Sequence, residues 1–247
     1  MNKAIDLIVT NAKIYTCDPA REWAEAFAVT AGVVTAVGTA AEIATLASTG
    51  TEILDADGRM IMPGLCDVHS HLMIGGAQAA WELTMLPSDG IDTILAKVRD
   101  WAERLAPDEW VVGGIIGSPV LDQIALGGCL PALDEASGGR PVLLRDDSHH
   151  NRWVNSRALE LMGVNQATPN PDDGTYVRDS HGKLTGVLYE SACALAEDKA
   201  AASIKDHRER DRVSAATAVR LVNSYGITAV QDAGTLENAL LALSDPG

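Results

Sequence analysis

Basic residues are scarce in this chain: 19 Lys and Arg stand against 34 Asp and Glu, a formal charge of −15. That balance argues against nucleic-acid binding, which needs clustered cations to neutralise phosphates. Long apolar runs are missing too. None approaches the roughly 18 residues of a membrane span, and Met1 to Asp6 lacks the apolar segment of a signal peptide. Cysteine is sparse: Cys17, Cys66, Cys129 and Cys193 are scattered and form no CxxC pair, which excludes a disulfide scaffold and a structural zinc knuckle. They are expected to be buried free thiols. No internal repeat or low-complexity tract occurs. With 47% hydrophobic residues, the composition predicts a soluble, cytoplasmic globular protein with no nucleic-acid and no membrane partner.

What is present begins with short strands. Leu7–Thr10, Ala12–Thr16, Ala26–Val29, Val33–Val37 and Glu52–Asp55 are broken by Asn11, by Cys17-Asp18-Pro19, and by glycine turns at Gly32, Gly38 and Gly58. Strands so short and closely spaced suggest a small β-sandwich module over residues 1–60. Next comes an apolar run, entered through Pro63-Gly64, that closes on His69-Ser70-His71. In a strand, residues i and i+2 share a face, so both imidazoles can reach one ion. Zinc is the default metal for imidazole ligands. A bare HxH is also a common surface coincidence; the apolar lead-in favours the metal reading.

The stretch from Pro63 to Leu72, PGLCDVHSHL, resembles the first-strand signature of the amidohydrolase superfamily, whose members are metal-dependent hydrolases on a (β/α)8 barrel. Trp110–Gly114, His150–Leu159, Thr185–Glu190 and Gly226–Gly234 narrow the likeness to the YtcJ-like branch, which includes N-substituted formamide deformylases. The resemblance runs from about Asp6 to Gly234 and covers only the front part of such an enzyme. It implies an α/β fold, the front part of a metal-dependent (β/α)8 TIM barrel over residues 61–247, preceded by the β module, which later strands complete in the family. It also implies hydrolysis of a C–N bond in a small-molecule amide by water activated on a divalent metal. The further histidines and the aspartate that the family draws from later strands have no counterpart here. A barrel of this kind takes about 250 residues by itself, more than remain after residue 60. The chain is therefore expected to be a fragment, a cleaved piece or one half of a split enzyme, with a complementary chain as a possible partner. A non-catalytic half that binds a partner through its open edge is the alternative.

Further along, Ile91 to Leu105 carries a helical apolar stripe, and Trp110–Ile116 and Pro141–Arg145 read as buried strands. His150 follows the second of these, where a parallel barrel places its catalytic loops. It matches the family's histidine and is a candidate catalytic residue touching substrate, with a structural histidine as the other reading. Asn155 or Ser156 can cap a helix to Met162 that Gly163 ends. Thr175 to Val187 reads as a hairpin. Glu190, at the end of the apolar strand Gly186–Tyr189, is a candidate metal ligand or a surface glutamate opening the next helix. Ala194 to Ser224 reads as a helical pair. Ile227–Gln231 is then a strand closed by Asp232, a weaker catalytic candidate because such an aspartate is often only a helix cap. A last helix is expected to begin in Thr235 to Leu243. Trp81, Trp110 and Trp153 line a pocket or fill core, and core is the expectation.

Overall fold

The computed structural model describes residues 4–234 and 237–244; the expected start of the last helix at Thr235 and Leu236 lies outside them. Contacts divide the chain into residues 1–67 with 226–229, and 68–225 with 230–247.

The first unit holds β1 (Leu7–Thr10), β2 (Lys13–Tyr15), β3 (Trp23–Ala24), β4 (Ala26–Thr30), β5 (Val33–Gly38), α1 (Ala40–Ala44), β6 (Glu52–Asp55), β7 (Met60–Ile61) and the start of β8 (Leu65–Ser70). Its strands form a four-stranded sheet ordered β5-β4-β1-β6 and a three-stranded sheet ordered β3-β2-β7. Ile8, Ala26 and Ala28 bury against Ile43 of α1. That helix is absent from the strand reading, although its signal is local. Thr39 accepts from the amide of Glu42 at 3.2 Å, and the Glu42 carboxylate accepts from the amide of Thr39 at 2.8 Å, a capping box.

The second unit continues with α2 (Leu72–Trp81), β9 (Leu83–Thr84), α3 (Ile91–Ala102), β10 (Val111–Ile116), α4 (Ser118–Ala125), α5 (Leu130–Ser137), β11 (Val142–Asp146), β12 (Asn151–Val154), α6 (Ser156–Met162), β13 (Gly174–Arg178) and β14 (Leu184–Glu190). A 3-10 turn (Ser191–Cys193), α7 (Ala194–Ala202), α8 (His207–Ser224), β15 (Ile227–Asp232) and α9 (Glu237–Ser244) follow. Six strands make a sheet ordered β13-β14-β12-β11-β10-β9, and β8 pairs with β15 in a sheet of two. The fold is mixed α/β, with no closed barrel among the described residues. Strands β9, β10 and β11 are parallel, but β12 then runs antiparallel to β11, and β14 antiparallel to β12. The chain after β11 therefore turns back as a strand where a barrel unit would enter a helix. Asp146 braces the turn: its carboxylate accepts from the Asn151 amide at 3.0 Å, the Asn151 side chain at 2.8 Å and the Ser148 hydroxyl at 2.7 Å.

Ile94, Val98 and Ala102 of α3 bury one stripe against the sheet, with Val111, Ile116, Val142, Leu144 and Trp153 in the same cluster. Leu143 and Val154 join a second cluster with α6 and α7. Asn155 caps α6 by accepting from the Ala158 amide at 3.0 Å, and Gly163 ends it in the left-handed region. An ionic net ties these layers together. Glu197 of α7 accepts from Arg145 of β11 at 3.2 Å and from Arg152 of β12 at 2.6 Å, and Arg145 also donates to Glu82 beyond α2. Burial opposes the charge on Glu197, yet Arg145 and Arg152 outweigh it and hold its pKa below the ordinary 4.5. Helices α2 and α8 meet at Gly76. A Cβ there would lie 2.2 Å from the backbone oxygen of Ser214 and 2.7 Å from Ala218, whereas one at Gly75 would meet nothing within 4 Å.

Gly76→Ala should lower stability by about 1–3 kcal/mol through overpacking, while Gly75→Ala should raise it by about 0.5–1 kcal/mol through helix propensity; urea melts compare them. Glu197→Gln should cost about 2 kcal/mol at neutral pH, discounted for partial exposure. Because the folded pKa of Glu197 is depressed, its contribution is present above the unfolded carboxylate pKa and disappears as pH falls through the folded value. The gap between wild type and variant should close only on that acid side.

Candidate functional site

Strand β8 delivers His69, and the strand ends at Ser70, so His71 is the N-cap of α2 and not a strand residue. At φ −116° and ψ 66° its backbone is neither extended nor helical, yet the two rings lie close together. Their centroids are 5.6 Å apart and the planes perpendicular. Two imidazoles on one tetrahedral ion, with metal–nitrogen bonds of about 2.0–2.1 Å, place their centroids roughly 5 Å apart, so the pair fits two positions of such a site. Both residues are exposed.

Asp232 closes β15 beside them. One carboxylate oxygen accepts from the amide of Leu72 at 2.9 Å and the other from the amide of Gly234 at 2.9 Å. The amide of Ala233 donates to the carbonyl of Ser70 at 2.7 Å. The strand pairing thus brings His69, His71 and Asp232 into one neighbourhood.

The other two candidates meet elsewhere on the second unit. His150 Nδ1 lies 3.1 Å from the Glu190 carboxylate, with both side chains about two-thirds exposed (67% and 61%). His150 sits in the β11–β12 turn, and its carbonyl accepts from the Glu190 amide at 3.1 Å and the Cys193 thiol at 3.3 Å. Glu190 adopts φ 51° and ψ −124°, a conformation that L residues rarely hold. It lines a pocket of 390 Å³ together with Ser118, Asp122, Asp146 and Tyr189. Burial, and after it the charges of Asp122 and Asp146, push the Tyr189 phenol above its ordinary pKa. Among the described residues no three of His, Cys, Asp and Glu gather to hold a metal ion. Glu190 is therefore grouped with His150 and not with the HxH imidazoles.

The sequence reading did not single out Asp146 or Gly234. The Asp146-Asp147-Ser148 run carried a turn signal for the first; a glycine two residues after a strand gave little for the second. Trp153 is fully buried and Trp110 nearly so, as core residues. Trp81 departs from that expectation: it is 36% exposed and borders, with Trp110, a cavity of 540 Å³. The cysteines also differ from their expected burial. All four are free, but Cys17 and Cys66 are exposed and Cys129 is half-buried. Turns and an open two-stranded ribbon hold the first two where no layer covers them. Only Cys193 is buried, and burial pushes its thiol up to about 11.

The family model for the amidohydrolase family matches residues 52–244. The N-substituted formamide deformylase of Arthrobacter pascens is 33% identical over 239 residues, covering 94% of this chain and 43% of that protein. The putative amidohydrolase YtcJ of Bacillus subtilis is 31% identical over 168 residues, 67% of this chain and 31% of its own. An uncharacterized metal-dependent hydrolase from Pyrococcus horikoshii superposes with a TM-score of 0.69 at 20% identity, covering 96% of this chain and 44% of that one, a likeness of fold. The chain thus spans less than half the length of each.

If the Glu190 backbone is strained, Glu190→Gly should be more stable than Glu190→Ala by about 1 kcal/mol, since only glycine relaxes there. Equal melting temperatures would count against strain.

Proposed function

Because the chain belongs to the amidohydrolase family, we propose that it is the front portion of a metal-dependent hydrolase acting on the C–N bond of a small amide or formamide. It acts when the remainder of the fold is supplied by the same polypeptide or by a complementary chain. The observation that carries this reading is the perpendicular His69–His71 pair at the end of β8. Family membership and a deformylase relative at 33% identity support the substrate class.

His69 and His71 supply two nitrogen ligands. A divalent ion, zinc by the chemistry of its donors, adds Lewis acidity toward a water and the scissile carbonyl when bound. Glu190 is kept as the proposed carboxylate ligand from its place at the end of β14, although in this structure its carboxylate is paired with His150. The exposed His150 ring, hydrogen-bonded to Glu190, takes or returns a proton at Nε2 as the amine leaves. Strained backbone at Glu190 suits a side chain held for chemistry. Among the described residues no helix is long and apolar enough to cross a membrane. A second reading, a non-catalytic half that binds a partner chain, draws support from the exposed apolar side chains of β8: Val68 is 71% and Leu65 48% exposed.

Equilibrium dialysis against zinc should show a bound equivalent that the His69→Ala/His71→Ala double variant loses. Formamide hydrolysis should appear when a segment bearing the later family ligands is co-expressed. Equal zinc uptake by wild type and double variant would remove the metal role, and binding of the segment without hydrolysis would favour the partner-binding reading.

A further inference from the structure

Asp232 is the site candidate held by backbone on both sides of its carboxylate. Both of its oxygens accept from backbone amides, those of Leu72 and Gly234, each at 2.9 Å. Helix α2 has His71 as its N-cap, and the His71 side chain makes no capping hydrogen bond. The first amide of the helix is instead satisfied by a carboxylate 160 positions away in sequence. Helix N-termini leave such donors unpaired unless a side chain is brought to them, and a negative group is favoured there. The backbone on the other side of His71 is held as well, since the carbonyl of Ser70 accepts from the amide of Ala233 at 2.7 Å. His71 is therefore bracketed by two hydrogen bonds to residues 232 and 233. The same turn supplies a wall for its ring: a Cβ on Gly234 would lie 3.2 Å from His71 Nδ1 and 3.6 Å from its Cε1.

From this arrangement we infer that Asp232 is a positioning residue for His71: by capping α2 and folding the 232–234 turn against the imidazole, it sets the direction in which His71 offers its nitrogen. The consequence for metal affinity rests on reading His71 as a ligand; the positioning itself does not. Removing a carboxylate that orients a metal-ligating histidine weakens binding by about 10–100-fold.

The test compares wild type with Asp232→Ala, Asp232→Asn and Gly234→Ala in the full chain. It follows the imidazole 15N and 1H resonances, amide exchange at Leu72, and zinc affinity by dialysis. In Asp232→Ala the Leu72 amide should lose protection and the His71 signals should shift or broaden, with His150, His181 and His207 unchanged and zinc held about 10–100-fold more weakly. Asp232→Asn, which keeps one acceptor oxygen, should restore part of each change. Gly234→Ala should move the His71 signals while leaving Leu72 protected, and it serves also if Asp232→Ala fails to fold. Unaltered His71 signals in both Asp232→Ala and Gly234→Ala would overturn the inference. Weakened zinc binding in Asp232→Ala with unaltered His71 signals would also overturn it, by making Asp232 itself a ligand. No zinc binding by any form, with His71 shifted in the variants, would leave the positioning intact and would mean that the ligands on this chain do not hold zinc without the rest of the fold.

Discussion

The pairing of β8 with β15 is what brings Asp232 to the His69–His71 pair, and it does so against an entropic cost. Two strands alone are marginal in water, and these are joined by a chain segment of some 160 residues whose ends must be brought together. The helices that flank them offset this. Helix α2 follows β8 directly and α8 precedes β15, and the two cross closely enough that Gly76 lies against the Ser214 backbone. Trp81 adds a hydrogen bond from its indole to the Ser214 hydroxyl at 3.2 Å. Sheet pairing and helix packing thus fix the same juxtaposition twice, and His71 lies at the junction of the strand with its helix.

The ionic net around Arg145 plays a comparable part for the rest of the second unit. Burial alone would disfavour the guanidinium, but Glu82 and Glu197 keep it charged and raise its pKa. Through those two carboxylates, residues from β11, β12, α7 and the end of α2 share one set of hydrogen bonds. The His150–Glu190 pair lies at the ends of strands in that same sheet. The pocket beside Glu190 is accordingly framed by residues of α4, β11, β12 and β14.

Periodic segments were legible in the sequence because burial on one face writes itself into residue order: α3, β10, β11, β14 and β15 lie close to where apolar spacing puts them. Caps were legible for α6, through Asn155 and Gly163. Strand β12 was not, since Asn151-Arg152-Trp153-Val154 is too short for a pattern and owes its direction to the Asp146 turn. Helix α5 is hidden in the sequence by Pro131 and the glycines on either side of it, residues that usually mark loops, although proline is tolerated in a first helical turn. For the site, a local motif exposed His69 and His71, but which candidates sit together depends on strand order. No spacing along the chain could have paired His150 with Glu190, or Asp232 with Leu72.

That a helix should borrow its N-terminal acceptor from so far along the chain has a consequence for biosynthesis. The ribosome adds about 5–20 residues each second, so α2 emerges roughly 8–30 s before Asp232 exists. For that interval the Leu72 amide lacks its carboxylate acceptor, and β8, with Val68 and Leu65, lacks its partner strand. A nascent chain in this condition is open to stray metal ions and to edge-to-edge association.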